Sequence, residues 1–142
     1  MADFPDVNVW VALTAEDHIH HFRAESYWRT EADTRLGFCR TTALGLVRIT
    51  SQQHTLEARP LSPEEAWETY LQWRDRSEID FFVEPPGIED VMTEWTRKGL
   101  ATRRNWTDLY LAAFAVAGGL RLVTFDNDFK YFPGLELLHL QT

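Results

Sequence analysis

The chain has 142 residues, 44% of them hydrophobic and 25% charged, with a formal net charge of −8 from 14 Lys and Arg against 22 Asp and Glu. That length suits one domain, 1–142, large enough to bury about 70% of the surface its unfolded chain exposes. No apolar run nears the ~20 residues of a membrane span, and the acidic balance argues against non-specific attraction to nucleic acid. Met1-Ala2-Asp3-Phe4-Pro5 lacks the basic and apolar regions of a signal peptide. Cys39 is the single cysteine, so an internal disulfide is excluded and a reducing cytoplasm is the expected location. Its thiol reads as a buried core group rather than a nucleophile, because no His or Asn constellation points to it.

In chain order, a short strand is expected over Asp3 to Asp6 and a helix from about Val7 to Leu13. A second helix covers Ile19 to Thr30, capped by Asp17 or a neighbour, with Phe22, Ser26 and Trp28 to Arg29 at helical spacing. Gly37 to Thr41 reads as a strand, and Thr42 as the N-cap of a helix through Leu44, Val47 and Arg48. Ser62-Pro63-Glu64-Glu65 starts a further helix, with Ser at the N-cap, Pro at the first position and Glu at the third. That helix is expected to run to Trp73 and to bury Ala66, Trp67, Tyr70 and Leu71. Ile79 to Val83 is a strand stopped by Pro85-Pro86-Gly87, and Ile88 to Lys98 returns to helical spacing through Val91, Met92 and Trp95. A helix over 107–117 ends at Gly118-Gly119, followed by a buried strand at Leu120 to Phe125 and a last strand at Glu136 to Leu140. Strands separated by helices imply an α/β domain with a mainly parallel central sheet, flanked by helices on both faces.

Carboxylates stand where hydrophobic runs stop. Asp6 follows the first strand, Asp108 opens the apolar helix, and Asp126 and Asp128 follow the strand that begins at Leu120. Singly, each has an ordinary explanation: an N-cap, a first-turn helix residue favoured by the dipole, or a turn former. Together, at element ends facing one crevice, they would repel one another, and a cation relieves that repulsion. Open α/β sheets bind ligands beyond the carboxyl ends of their strands. Oxygen-only donors suit magnesium or manganese, which lower the pKa of a bound water and offset charge on an attacked phosphate. Arg97, Lys98, Arg103 and Arg104 fall just before Asp108. They form either a solvated helix end and loop or a surface for a phosphate backbone.

The residues also resemble a family. Asp6-Val7-Asn8-Val9-Trp10-Val11-Ala12-Leu13 is similar to the opening aspartate motif of the PIN-domain ribonucleases, specifically the VapC-type toxins of bacterial toxin–antitoxin systems. His18 to Trp28 resembles their first long helix, Arg40 to Arg48 stands in the place of their second acidic motif, and Pro60 to Trp67 matches a common middle segment. Asn105 to Ala113 carries the third acid and Thr124 to Phe129 the last. The resemblance implies a PIN-like fold and an endoribonuclease using Mg2+ or Mn2+. Asp6, Asp108 and Asp126 would be its catalytic residues and metal ligands, Asp128 a weaker fourth ligand, and Asn8 and Thr124 hydrogen-bonding supports. Arg97, Lys98, Arg103, Arg104 and Trp106 would meet RNA. A VapB-like antitoxin and a homodimer are the partners implied, with no membrane.

One position departs from the pattern: Ala43 stands where many PIN nucleases carry Glu and some VapC branches Gln. Ala cannot ligate metal, so a space open to water is expected there. An alternative reading follows, a weakened PIN fold that binds RNA or a partner without cutting. A haloacid-dehalogenase-type phosphatase also starts with Asp at a strand end, but it needs a second Asp where this chain has Asn8. His18, His20 and His21 read as a solvated helix face away from the acids rather than a zinc site. Of the six tryptophans, Trp106 alone is a candidate for stacking on RNA; core packing accounts for the others.

Overall fold

The computed structural model describes residues 1–52 and 59–142. Among them the elements run β1 (Asp3–Pro5), α1 (Val7–Thr14), α2 (His21–Thr30), β2 (Leu36–Phe38), α3 (Arg40–Thr50), α4 (Pro63–Arg74), β3 (Ile79–Phe81), α5 (Ile88–Arg97), α6 (Trp106–Gly118), β4 (Arg121–Thr124), a 3-10 turn (Asn127–Tyr131) and β5 (Glu136–His139). The strands pair in the order β3-β2-β1-β4-β5, and each pairing is parallel.

This order locates the crevice. From β1 the chain builds outward to β2 and β3 on one side, then returns to place β4 and β5 on the other. The carboxyl ends of β1 and β4 therefore flank the point where the winding reverses, where α/β sheets open to ligands. Pro5 stands opposite Val123 in the ladder. The next backbone N–H, that of Asp6, donates to the Val123 carbonyl at 2.8 Å. Asp6 and Thr124 thus leave the sheet side by side.

Alternation along the strands divides the core between two faces. Phe4 and Leu122 turn toward α5 and α6 and pack with Trp95, Leu109, Phe114 and Phe132. Leu36, Phe38 and Ile79 turn the other way, onto Trp10, Leu46 and Tyr70 of α1, α3 and α4. Trp10 stacks on Phe38 at 3.9 Å between ring centroids, which seats α1 firmly over the middle of the sheet. Helices cover both faces, as the strand–helix alternation implies.

Three local readings are corrected. α2 begins at His21 with His20 at the N-cap, and its buried face is His21, Ala24 and Tyr27, which leaves Phe22 83% exposed. Polar anchors override the hydrophobic spacing here: His21 Nδ1 donates to the Ala12 carbonyl at 2.8 Å, and the Tyr27 hydroxyl donates to buried Asp3 at 2.7 Å. α3 begins at Arg40 with Cys39, not Thr42, at the N-cap. Thr42 closes that cap from inside the helix, its Oγ1 accepting from the Cys39 N–H at 3.0 Å. In α4 the expected cap forms, Ser62 and Glu65 each accepting the other's backbone N–H. Ala66 and Tyr70 are its buried residues, while Trp67 and Leu71, one residue round the helix, are exposed. Strand ends also retract, β3 stopping at Phe81 rather than Val83.

Candidate metal centre and nucleic-acid interface

A single hydroxyl organises the carboxyl ends of β1 and β4. Asp6 is the N-cap of α1, with extended backbone that turns its side chain back over the helix start. One carboxylate oxygen accepts from the Val7 N–H at 2.7 Å and the other from Thr124 Oγ1 at 2.9 Å. Thr124, fully buried, accepts in turn from the Asp126 N–H at 3.0 Å and from Asn8 Nδ2 at 3.4 Å. Asn8 Oδ1 accepts from the Phe125 N–H at 3.3 Å. Asp126 caps the 3-10 turn, its Oδ1 accepting from the Asp128 N–H at 2.8 Å. Two elements far apart in sequence are locked together at the level of their carboxylates.

The charges there are unbalanced. Burial raises the pKa of Asp6 above the ordinary carboxylate value; the hydrogen bonds from Thr124 and Val7 oppose that rise and repulsion from Asp126 adds to it. Asp108, half-buried in the first turn of α6, is pushed up to about 6, first by burial and then by repulsion from Asp6, Asp126 and Asp128. The charges acting on Asp108 are all negative. A divalent cation would reverse both effects. Among the described residues no three acidic, imidazole or thiol side chains converge into a complete ion cage. Magnesium commonly binds through one or two carboxylates and keeps several waters, so this oxygen-only set fits a hydrated hard ion.

Next to Asp108 a cavity of about 340 Å³ is lined by Leu100, Asn105, Asp108, Asp128, Tyr131 and Phe132, among others. None of the four basic residues lines it, though Lys98, Arg103 and Arg104 adjoin lining residues in sequence, and Arg97 borders a separate concavity with Met92 and Thr96. Arg97 ends α5, Lys98 follows as its C-cap and pairs with Glu94 at 3.2 Å, and Arg103 and Arg104 occupy the exposed loop before α6. Trp106, the first residue of α6, is half-exposed. Another concavity, of about 260 Å³, lies at the far end of α1 from Asp6, between Leu13, Thr14, Thr69 and Trp73, and no carboxylate lines it.

Two expectations at this end of the molecule fail. Ala43 leaves no space for water: it is fully buried in the apolar cluster of Trp10, Phe38, Leu46 and Tyr70. The early start of α3 carries it into the core. Nor do the histidines form a solvated face. His21 is buried, and His20 stacks on Phe125 at 4.8 Å, one residue before Asp126. Tyr131, not singled out from the sequence, is an exposed aromatic residue that ends the 3-10 turn and lines the cavity.

A family model described as PIN domain matches residues 4–135. The chain is 36% identical over 138 residues to "Ribonuclease VapC41" of Mycobacterium tuberculosis, covering 93% of this chain and 94% of that one. It resembles the crystal structure of Mycobacterium tuberculosis VapC20, described as a sarcin-ricin loop cleaving toxin, with a TM-score of 0.69 at 15% identity, over 95% of this chain and 99% of that one. It also resembles VapBC2 from Rickettsia felis, solved bound to a DNA fragment from the promoter, with a TM-score of 0.67 at 17% identity, over 99% of this chain and all of that one.

Proposed function

The chain belongs to the PIN-domain family, and from that premise we propose that it is a magnesium- or manganese-dependent endoribonuclease, the toxin of a toxin–antitoxin pair. One observation carries the metal-dependent part: Asp6, Asp108, Asp126 and Asp128 share a field in which Asp108 is pushed up to about 6. A ribonuclease relative at 36% identity across almost the whole chain supports RNA as the substrate. The likeness to VapBC structures supports a fold of the kind an antitoxin covers, and a VapB-like antitoxin and a second copy of the chain are the proposed partners. A cytoplasmic site of action fits the lone buried thiol; no helix among the described residues is long and apolar enough to cross a membrane.

In this reading Asp6, Asp108 and Asp126 hold the ion, with Asp128 contributing from the edge. The ion, when bound, supplies an activated water and offsets charge on the phosphate. Thr124 donates to Asp6 and so fixes its outer oxygen, while its acceptance from the Asp126 N–H sets the spacing between the two acids. Asn8 braces the same hydroxyl and the Phe125 backbone. Asp108, pushed up to about 6 before an ion binds, would give up its proton to hold the ion as a carboxylate. Arg97, Lys98, Arg103 and Arg104 meet the RNA backbone, and Trp106 offers a stacking face.

Purified protein incubated with total RNA under magnesium, manganese and EDTA tests the reading. Cleavage is expected with either metal and not with EDTA, and Asp6→Asn is expected to lose it at equal soluble protein. Equal cleavage in EDTA, or by Asp6→Asn, would refute the mechanism. The second reading, an RNA- or partner-binding PIN fold that does not cut, is favoured by the absence of a complete cage among the described residues. RNA binding without cleavage at any metal concentration is its signature. The match to the PIN domain over residues 4–135 sets the phosphatase alternative aside.

A further inference from the structure

We propose that the cavity between the 99–105 loop, Asp108 and the 3-10 turn is a pocket for one unpaired nucleobase next to the scissile phosphate, with Tyr131 as its stacking face. The proposal rests on the endoribonuclease reading and adds a residue and a ligand subsite to it.

Tyr131 is the clearest sign. It is 65% exposed, and among the described residues its hydroxyl has no hydrogen-bond partner. Its ring contact is with its neighbour Lys130, whose ammonium lies 5.3 Å from the ring centroid. Nothing in the packing of the core requires an aromatic residue there. Phe132, by contrast, is anchored against Trp95 at 5.0 Å and gives the cavity a fixed apolar wall.

The opposite wall is held open by Asn105. Its Oδ1 accepts from the Thr102 N–H at 2.7 Å and its Nδ2 donates to the Leu100 carbonyl at 2.9 Å. Thr102, also on the lining, accepts at its Oγ1 from the Arg104 N–H at 3.2 Å. A volume of about 340 Å³ lies at the small end of the range of ligand pockets, about 300–1,000 Å³.

The charge pattern selects the occupant. Asp108 and Asp128 line the cavity and would repel a phosphate placed inside it. An uncharged ring is tolerated, and a base with an exocyclic amino group gains an acceptor, because an ionised carboxylate only accepts hydrogen bonds. Proteins that read single-stranded RNA commonly splay bases onto aromatic faces. The phosphates on either side of such a base would lie toward Arg103 and Arg104. A base carrying an amino group is therefore favoured over uracil.

Two measurements that do not depend on cleavage test this. Oligocytidylate and oligouridylate, pyrimidines of equal ring size, are bound to the protein with and without magnesium and crosslinked by ultraviolet light, and the attached peptides are mapped by mass spectrometry. Affinities are read in parallel by fluorescence anisotropy. The expected crosslink falls on Tyr131 or Phe132, with tighter binding of oligocytidylate. Tyr131→Ala should weaken that binding about ten-fold, while Tyr131→Phe stays near wild type because the ring, not the hydroxyl, stacks. An unchanged melting temperature for Tyr131→Ala keeps the comparison clean. Crosslinks confined elsewhere, equal affinity for the two oligonucleotides, or an unaffected Tyr131→Ala would overturn the pocket. Cleavage of total RNA by wild type in the presence of those results leaves the nuclease reading standing; crosslinking at Tyr131 without any cleavage refutes the nuclease and keeps the pocket.

Discussion

At the amino ends of the strands, Asp3 is fully buried and its charge is met on every side. Arg121 grips both carboxylate oxygens at 2.8 and 2.9 Å, and the Tyr27 hydroxyl and the Asp33 N–H add bonds at 2.7 and 3.1 Å. At the carboxyl ends of the same strands, Asp6 is nearly as buried, but its neighbours in charge are Asp126 and Asp108. One sheet thus holds the same residue type in two states. Beside Arg121 the aspartate is a structural clamp that ties β1, α2 and β4 together. In the crevice Asp6 and Asp126 are held by donors that fix their positions and do not neutralise them, and the proposed cation would supply the missing charge.

The contrast can be broken first at the clamp. Asp3→Ala strands the Arg121 guanidinium and should cost about 3–5 kcal/mol in a urea unfolding experiment, as loss of one partner from a buried ion pair does. The loss should appear in the unfolding midpoint, with the metal dependence of whatever protein remains folded unchanged. A small stability loss joined to a large change in metal dependence would mean the two poles are not separate.

Thr124→Val removes the hydroxyl that joins Asp6 to Asp126 while keeping the shape of the strand. Metal affinity should fall about 10–100-fold, the usual effect of losing an outer partner of a ligand. Calorimetric titration with manganese measures this directly. An unaltered affinity would remove Thr124 from the account.

The smallest effect is the dependence on pH. Asp108 has an ordinary value of 3.8 and a folded value of about 6. Its folded pKa is raised, so its contribution to stability is fully present below about pH 4 and is lost as pH rises through about 6. Because the group is half open to water, the full shift overstates the effect, and about 1 kcal/mol is expected after screening. Comparing wild type with Asp108→Asn across pH 4 to 7 isolates it: the variant should gain relative stability as pH rises. No change in the difference between the two would mean that Asp108 is not under electrostatic strain.

Much of the architecture was legible because helix starts and strand runs announce themselves locally, as Ser62-Pro63-Glu64-Glu65 and Leu122-Val123 do. The acids stood out for the same reason, since each flanks a hydrophobic run, while their role as metal ligands is the one proposed above. What local pattern could not reveal was the side of a helix that turns inward when polar contacts decide it. Tyr27 and His21 draw α2 into place through Asp3 and the Ala12 carbonyl, so Phe22 is left outside. The burial of Ala43 followed from a cap set by Cys39 and Thr42, which moved the start of α3 three residues earlier. The cavity beside Asp108 was out of reach altogether, because three separate segments meet to form it.

The crevice acids are incompletely neutralised, and in the proposed mechanism a divalent cation completes them. Isothermal titration calorimetry with magnesium or manganese at pH 6, repeated in two buffers of different ionisation enthalpy, tests it most directly. Binding should be accompanied by proton release, because a cation lowers the pKa of Asp108 from about 6, and Asp108→Asn should bind more weakly and release fewer protons. Absence of binding, or binding that neither releases protons nor responds to Asp108→Asn, would contradict the account.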